Sequence, residues 1–399
     1  MDNEFYSRIV YRKNAFLELA EYLGQNYYGK KILLISTKSL VNSNLTEIMN
    51  AISFAKCSFK HYIAKNNFSD NELKSITNIV SDENFDLYIV FGGVRATMVT
   101  KYFANIFNVP YIVCPSMPSG IGYFSNICIN PYDSARSFLC EYPEKVFISE
   151  VVIKTCPKKF VKQGVYFILS FEEYIATCGI ENILLDKHYD CTQFENIISK
   201  LKKELKGIMS MDIDEKLKLM DLLIDLANEC SKIDLFKNSV FNLYTIMQKV
   251  LKDNNEFLYG GECYLLSSNA LLCMYTNFFK QKDIKRLEMP NVEKLVKNIK
   301  NNSIFYKKIN NLSFFNDILN KKELLIRLNN LKEEFYFQCN KRLNEQNKML
   351  DIIKSYDNIF VLDSPQIKNV FTAINVFPFI TENNYVVTLM GGLGYFNKF

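Results

Sequence analysis

The first 150 residues alternate between short apolar runs and stretches in which apolar residues recur at helical spacing. Strands separated by helices need crossover connections, and these make neighbouring strands parallel. Before one helical stretch, Ser69 and Asp70 are candidate N-caps. We therefore predict a Rossmann-like α/β domain with a parallel sheet over residues 1–155. Its strands are predicted at 30–37, 58–65, 85–93 and 109–115.

Beyond residue 156 the pattern changes to long helical periods, while glycine and proline become sparse. This pattern predicts an all-helical second domain over residues 156–399. Its clearest helices are predicted at 216–233, 239–254, 261–279 and 323–356.

Composition excludes several functional classes. The net charge of +5 comes without an arginine-rich stripe, so we expect no nucleic-acid partner.

The 11 cysteines occur singly, as free thiols do in a reducing compartment. The start lacks a signal-peptide pattern, and no apolar run is long enough to span a membrane. We expect a cytoplasmic protein that contacts no membrane.

Histidine is scarce, since His61 and His188 are the only two in the chain. A mechanism that requires a cluster of histidines is therefore nearly excluded. His61 falls in a predicted strand and His188 in a predicted loop, so we expect both to be structural or surface residues.

Four parts of the sequence, at 9–41, 90–126, 153–164 and 380–396, together resemble one superfamily in their order and spacing. It is the superfamily of iron-containing alcohol dehydrogenases and dehydroquinate synthases. More narrowly, the chain is similar to sn-glycerol-1-phosphate dehydrogenases. The resemblance implies a dehydroquinate synthase-like fold and a homo-oligomer. It also implies an oxidoreductase that uses NAD(P) and a divalent metal, which polarises the substrate oxygen.

The resemblance also locates the metal ligands, which in the family are one aspartate and two histidines. The matching residues here are Phe167, Phe241 and Gly260, with Phe241 placed to within a few residues. None of these side chains can coordinate a metal, so we expect no metal. Glu262 and Cys263 lie next to Gly260 in the sequence, and their side chains are of types that can bind a metal. A helix-capping role is the simpler interpretation of Glu262.

The segment VFGGVRATMVTK matches the nucleotide-binding turn of the family. Glycines in such a turn let phosphate approach the helix N-terminus. Val94 replaces a third glycine, Met98 replaces an aspartate of the following helix, and Ile121 replaces an active-site aspartate. Arg95 can pair with phosphate, or it is a surface residue on a turn that no longer binds. The cofactor-binding candidates are Gly92, Gly93, Arg95, Lys101, Ser116 and Ser119.

Two functions remain open. The first is a catalytically degenerate glycerol-1-phosphate dehydrogenase-like pseudoenzyme with a binding, regulatory or assembly role. The alternative is an NAD(P)-dependent oxidoreductase that acts on glycerol phosphate or a related polyol phosphate through a metal-independent site. Tyr166 and Glu262 are candidates for its proton transfer. In either case, a dinucleotide or a small phosphorylated molecule is the candidate ligand, with NAD(P) as candidate cofactor.

Overall fold

A computed structural model describes residues 2–38, 44–64, 68–285, 322–358, 360–380, 383–393 and 395. The chain divides into two compact units. The first contains Met1–Val165 and Ser210–Ser231, and the second contains Tyr166–Met209 and Lys232–Phe399. The domain boundary predicted after residue 155 stays a prediction, because a division by contacts does not identify segments that fold independently.

The first unit contains a six-stranded, entirely parallel sheet in the order β1-β8-β5-β4-β2-β3. A short antiparallel pair, β6 and β7, lies apart from it. The predicted parallel α/β domain is thereby confirmed. The strands are β1 (Ile9–Arg12), β2 (Lys31–Thr37), β3 (Ser58–Ala64), β4 (Leu87–Gly92), β5 (Tyr111–Pro115), β6 (Ile127–Ile129), β7 (Ser137–Leu139) and β8 (Lys145–Ser149).

Helices cover the sheet because its central strands are apolar on both faces. All six residues of β4 are buried, and Phe16 and Leu19 pack into the same core as Ile89. Ser69 caps α4 as predicted, in a reciprocal capping box with Glu72. The helices of this part are α1 (Asp2–Ser7), α2 (Ala15–Asn26), α3 (Leu45–Phe54), α4 (Asp70–Asp82), α5 (Val94–Phe107) and α6 (Glu150–Lys154).

The strand order determines where a ligand would bind in this unit. β3 lies on one side of β2 and β4 lies on the other, so the order reverses between β2 and β4. Ligands of open parallel sheets bind beyond the carboxyl ends of the strands at such a reversal. Here β4 ends at Gly92, which places the turn of the sequence motif at this point.

The described part of the chain beyond α6 is helical, as predicted. The 35-residue α13 is the longest of its helices, and α10 belongs to the first unit. Within the described ranges, no helix is both long and apolar enough to cross a bilayer. The helices are α7 (Lys158–Leu169), α8 (Phe171–Leu185), α9 (Thr192–Ser210), α10 (Ile213–Cys230), α11 (Ser239–Asp253), α12 (Gly260–Phe279), α13 (Lys322–Tyr356), α14 (Ser364–Ile380) and α15 (Tyr385–Gly392).

A buried carboxyl group joins three helices of the second unit. Glu173 of α8 accepts hydrogen bonds from Tyr275 of α12 at 2.6 Å, from Thr177 at 3.0 Å and from the Asn384 amide at 3.1 Å. Asn384 also caps α15, because its Oδ1 accepts from the Val387 N–H. Burial nevertheless outweighs these donors and raises the pKa of Glu173 to about 7.

Replacing this carboxyl by an amide, in Glu173→Gln, tests the raised pKa. Between pH 4.5 and about 7, an unfolded glutamate is ionised while the folded one keeps its proton. The free energy of unfolding of the wild type should therefore fall by about 3 kcal/mol relative to the variant as the pH rises through this window. Urea unfolding at several pH values measures the difference. Parallel pH profiles of the two proteins would contradict the assignment.

Candidate functional site

The turn after β4 is closely packed. Gly92 ends the strand, Gly93 caps α5, and the helix begins at Val94. A Cβ on Gly92 would lie 2.9 Å from the Ala96 Cβ, and one on Gly93 would lie 3.2 Å from the Met117 Sδ. A side chain at Gly92 would therefore clash with α5, whereas one at Gly93 would require the Met117 thioether, which lies directly against the turn, to shift by a few tenths of an ångström.

The hydroxyl of Tyr123 occupies the N-terminus of α5. This side chain is fully buried. Its oxygen lies near the backbone N–H of Val94 and donates to the Met117 carbonyl at 2.9 Å. The Ser119 Oγ lies 2.9 Å from the same hydroxyl. A phosphate bound to this helix would need the same kind of N–H group, so Tyr123 takes a position that an anion would use.

Apolar side chains fill the adjoining space. A Cβ on Gly122 would lie 2.6 Å from a methyl of Val94 and 2.8 Å from the Met98 Cε. Ile121 is also buried. Val94 and Met98 therefore both pack against the backbone at Gly122.

The remaining cofactor-binding candidates differ in their surroundings. Arg95 is exposed in the first turn of α5. The N–H of Ser116 donates to the Gly92 carbonyl at 3.0 Å. The Ser116 hydroxyl is buried and has no hydrogen-bond partner within the described ranges. The structure thus brings Gly92, Gly93, Ser116 and Ser119 together around the turn.

The hydrogen bonds of Lys101 give it a structural role. It is completely buried, and its ammonium group donates to the carbonyl of Ser125, with the Ser125 hydroxyl at 3.3 Å and the Ile127 carbonyl at 3.5 Å. Burial lowers the pKa of Lys101 to about 8. Its hydrogen bonds hold the segment that leads into β6.

In the second unit, the residues matched with the metal ligands lie along a chain of aromatic rings. The ring centroids of Phe167 and Tyr264 are 4.6 Å apart, and Tyr264 stacks on Tyr244 at 4.0 Å. Phe241 follows at 6.5 Å from Tyr244. A Cβ on the exposed Gly260 would lie 3.8 Å from the Tyr244 hydroxyl. We call Phe167, Phe241, Tyr244 and Tyr264 the aromatic cluster.

Polar residues near the aromatic cluster cap the helices or hydrogen-bond between them. The Glu262 carboxylate accepts from the Tyr259 N–H at 2.9 Å and caps α12. The buried Cys263 Sγ receives the Gln248 amide at 2.8 Å. Tyr166 differs, since its hydroxyl is buried without a hydrogen-bond partner in the described part of the chain. Burial raises the pKa of Tyr166 above its usual range, and the charge of Glu262 adds to the effect.

These surroundings do not fit a metal ion. Phenyl rings and a glycine hydrogen supply no donor atom, and catalytic metals need several nitrogen, oxygen or sulfur ligands. Among the residues that the structure describes, no three His, Cys, Asp or Glu side chains are arranged to hold a metal. His61 is engaged elsewhere, with its Nε2 2.7 Å from the Ser36 Oγ.

The residues that fill both places were not among the predicted site residues. Met117 and Tyr123 flank the predicted Ser119, but their approach to α5 depends on a loop conformation that carries no sequence signal. Tyr244 lies three residues after Phe241 on α11, and Tyr264 lies four residues after Gly260 on α12. Only the packing of α11 on α12 makes these two rings stack.

Part of the chain is similar in sequence to a family of dehydrogenases. Residues 10–157 match the sequence model of the iron-containing alcohol dehydrogenase family. A search of curated protein sequences found no match.

Solved structures share the fold over nearly the whole chain. The Escherichia coli K-12 protein YqhD superposes with a TM-score of 0.61 at 12% identity, over 98% of this chain and 96% of that one. The iron-containing alcohol dehydrogenase of Thermotoga maritima gives 0.56 at 11% identity, over 92% and 89%. The glycerol dehydrogenase of Schizosaccharomyces pombe gives 0.54 at 14%, over 89% and 93%. These identities show the fold alone, which is that of the iron-containing alcohol dehydrogenases.

Truncation of Phe167 tests whether the aromatic cluster is part of a packed core. Phe167→Ala should lower the free energy of unfolding by about 3–5 kcal/mol, because the ring is buried and its removal leaves a cavity. Phe371→Ala is the matched control. That ring is 51% exposed, and its loss should change stability by about 0.5 kcal/mol or less. Similar small effects of both variants, measured by urea unfolding, would show that Phe167 is not packed as described.

Proposed function

We propose that this chain is a catalytically degenerate relative of the iron-containing alcohol dehydrogenases, with a binding or assembly role in place of hydride transfer. The observation that carries the proposal is the aromatic cluster. Phe167 and Phe241 are buried in it, and Tyr244 lies beside Gly260. These are the positions that the sequence resemblance matches with metal ligands.

The chemistry of the dehydrogenases explains why this replacement matters. A metal in such an enzyme acts as a Lewis acid, which stabilises the charge on the substrate oxygen as hydride is transferred. Aromatic rings cannot supply that charge stabilisation. They contribute apolar burial and ring-to-ring contact instead, which stabilise the fold.

The nucleotide turn supports the same proposal. A dinucleotide needs space beside the glycines and available N–H groups at the start of α5. Met117 lies against Gly93, and the Tyr123 hydroxyl lies near the Val94 N–H. Pyrophosphate could bind there only after these side chains had moved.

Metal loading and a hydride-transfer assay test the proposal. The purified full chain is incubated with Fe²⁺, Zn²⁺ or Ni²⁺, dialysed, and assayed for metal content. Oxidation of NADH and NADPH is then followed with dihydroxyacetone phosphate and with simple aldehydes. We expect clearly substoichiometric metal and no turnover above the protein-free rate. The Thermotoga maritima alcohol dehydrogenase, treated identically, is the positive control. One tightly held metal per chain together with metal-dependent turnover would refute the proposal.

The second candidate is an NAD(P)-dependent oxidoreductase that acts on glycerol phosphate or a related polyol phosphate without a metal. The Ser116 hydroxyl favours it, because a buried hydroxyl without a partner costs free energy unless something binds it. The unpartnered hydroxyl of Tyr166 would be its candidate proton donor.

Dinucleotide titration separates the two candidates. The oxidoreductase should bind NADH or NADPH in the presence of chelator, and Ser116→Ala should weaken that binding about tenfold through the lost hydrogen bond. Ser75→Ala, at an exposed serine of α4, is the control and should leave the affinity unchanged. Fluorescence titration that detects no binding of either dinucleotide would exclude the second candidate. Binding unaffected by Ser116→Ala would contradict the role of that hydroxyl.

A further inference from the structure

The second unit contains a cavity of about 380 Å³ that includes no residue of the aromatic cluster. Residues of α8 and α13 line two of its sides. The end of the loop between α8 and α9, together with the first turn of α9, lines a third. Small-molecule sites in proteins have volumes of about 300–1,000 Å³, so this space is large enough for a small organic molecule.

Two of the charged side chains that line the cavity neutralise each other. Arg342 forms an ion pair with Glu195, and at 3.3 Å a second one with the buried Glu172. Asp190 and Lys341 also line the cavity and are exposed, but neither has an ion-pair partner in the described part of the chain. One negative and one positive charge in the same cavity therefore lack a counter-charge.

The acidic side of the cavity is held in a fixed position. The Asn182 amide donates to the Tyr189 carbonyl at 2.9 Å, and its Oδ1 accepts from the Tyr189 N–H at 2.8 Å. The Asp190 Oδ1 accepts from the Thr192 N–H at 2.9 Å at the start of α9. A ligand that binds here would consequently lose little free energy in ordering this loop.

Two aromatic rings among the lining residues are largely exposed. Tyr189 is 44% exposed and Phe337 is 67% exposed. Apolar surface that meets water at the wall of a cavity is available for contact with an apolar group of a ligand. The cavity thus combines two unpaired charges with apolar surface.

A glycine of α8 makes room for a polar group of the cavity. A Cβ on Gly179 would lie 2.6 Å from the Gln338 Oε1. Glycine is unfavourable in the interior of a helix, and here it allows the Gln338 side chain to lie against α8. Within the described ranges, the Gln338 amide has no hydrogen-bond partner, so it is available to a ligand.

We propose that this cavity binds a free amino acid with an apolar or aromatic side chain. Its ammonium group pairs with Asp190, its carboxylate pairs with Lys341, and its side chain packs against Tyr189 and Phe337. A simple anion would lie near Asp190 and a simple cation near Lys341, so each would meet a like charge. A zwitterion places an opposite charge at both.

The site lies entirely within the second unit and uses no residue of the aromatic cluster or of the nucleotide turn. The test of this proposal and the tests of the proposed function therefore give independent answers.

Calorimetric titration of the full chain at pH 7 with L-phenylalanine and with L-leucine tests the proposal. We expect saturable binding of at least one of them, with one molecule per chain. For the tighter ligand, the analogue without the amino group and the analogue without the carboxylate should each bind about tenfold more weakly, because each leaves one charge of the cavity unpaired. Absence of saturable binding of both amino acids, or equal affinity of the analogues, would overturn the proposal.

Two variants assign the charges of the ligand to the two walls. Asp190→Asn should weaken binding of the amino acid about tenfold and leave the affinity of the analogue without an amino group unchanged. Lys341→Gln should have the corresponding effect, with the analogue without a carboxylate unaffected. Asp351→Asn and Lys354→Gln, at exposed residues of α13 outside the cavity, are the matched controls and should bind like the wild type. Wild-type affinity of both cavity variants would also overturn the proposal.

Discussion

A parallel sheet must bury both of its faces, and this requirement determines the layout of the first unit. Every residue of β4 is buried, Gly92 included, and partial exposure begins only after the strand ends, at Gly93. The reversal of strand order beside β2 makes this end the natural position for a ligand. What surrounds those two glycines therefore decides what the unit can do.

Both places that the dehydrogenase resemblance assigns to ligands hold the protein's own side chains. A tyrosine hydroxyl and a thioether lie at the turn, and the positions matched with metal ligands lie within or beside the aromatic cluster. Buried catalytic groups usually reduce stability, because polar atoms must be desolvated for them. Phe167 and Ile121 have the opposite character, since they add apolar burial where a dehydrogenase has charge. Under the proposed function, this exchange adds stability at positions that would otherwise take part in metal-assisted chemistry.

Local patterns in the sequence predicted much of the fold. The strands β2 to β5 and the helices α10 to α13 have strong local periodicity, and all were predicted within a few residues. The 19-residue α9 was not predicted individually. β1 and β8, which pair with each other, were not predicted. β1 is a short, half-buried edge strand, and its partner is far away in the sequence, as the pairing of Ile9 with Val146 shows. The candidate site was harder to predict from the sequence. The glycines of the turn are visible in the sequence, but the side chain placed against them depends on how the loop at Tyr123 folds back.

The carboxyl group of Glu173 has a consequence for any partner of the second unit. With a pKa of about 7, its protonated and ionised forms are nearly equally populated near neutral pH. Its hydrogen-bond partner Asn384 also holds the start of α15, so the two forms differ in how that helix is anchored. A molecule that binds one form better must take up or release a fraction of a proton. Its apparent binding enthalpy would then vary with the ionisation enthalpy of the buffer.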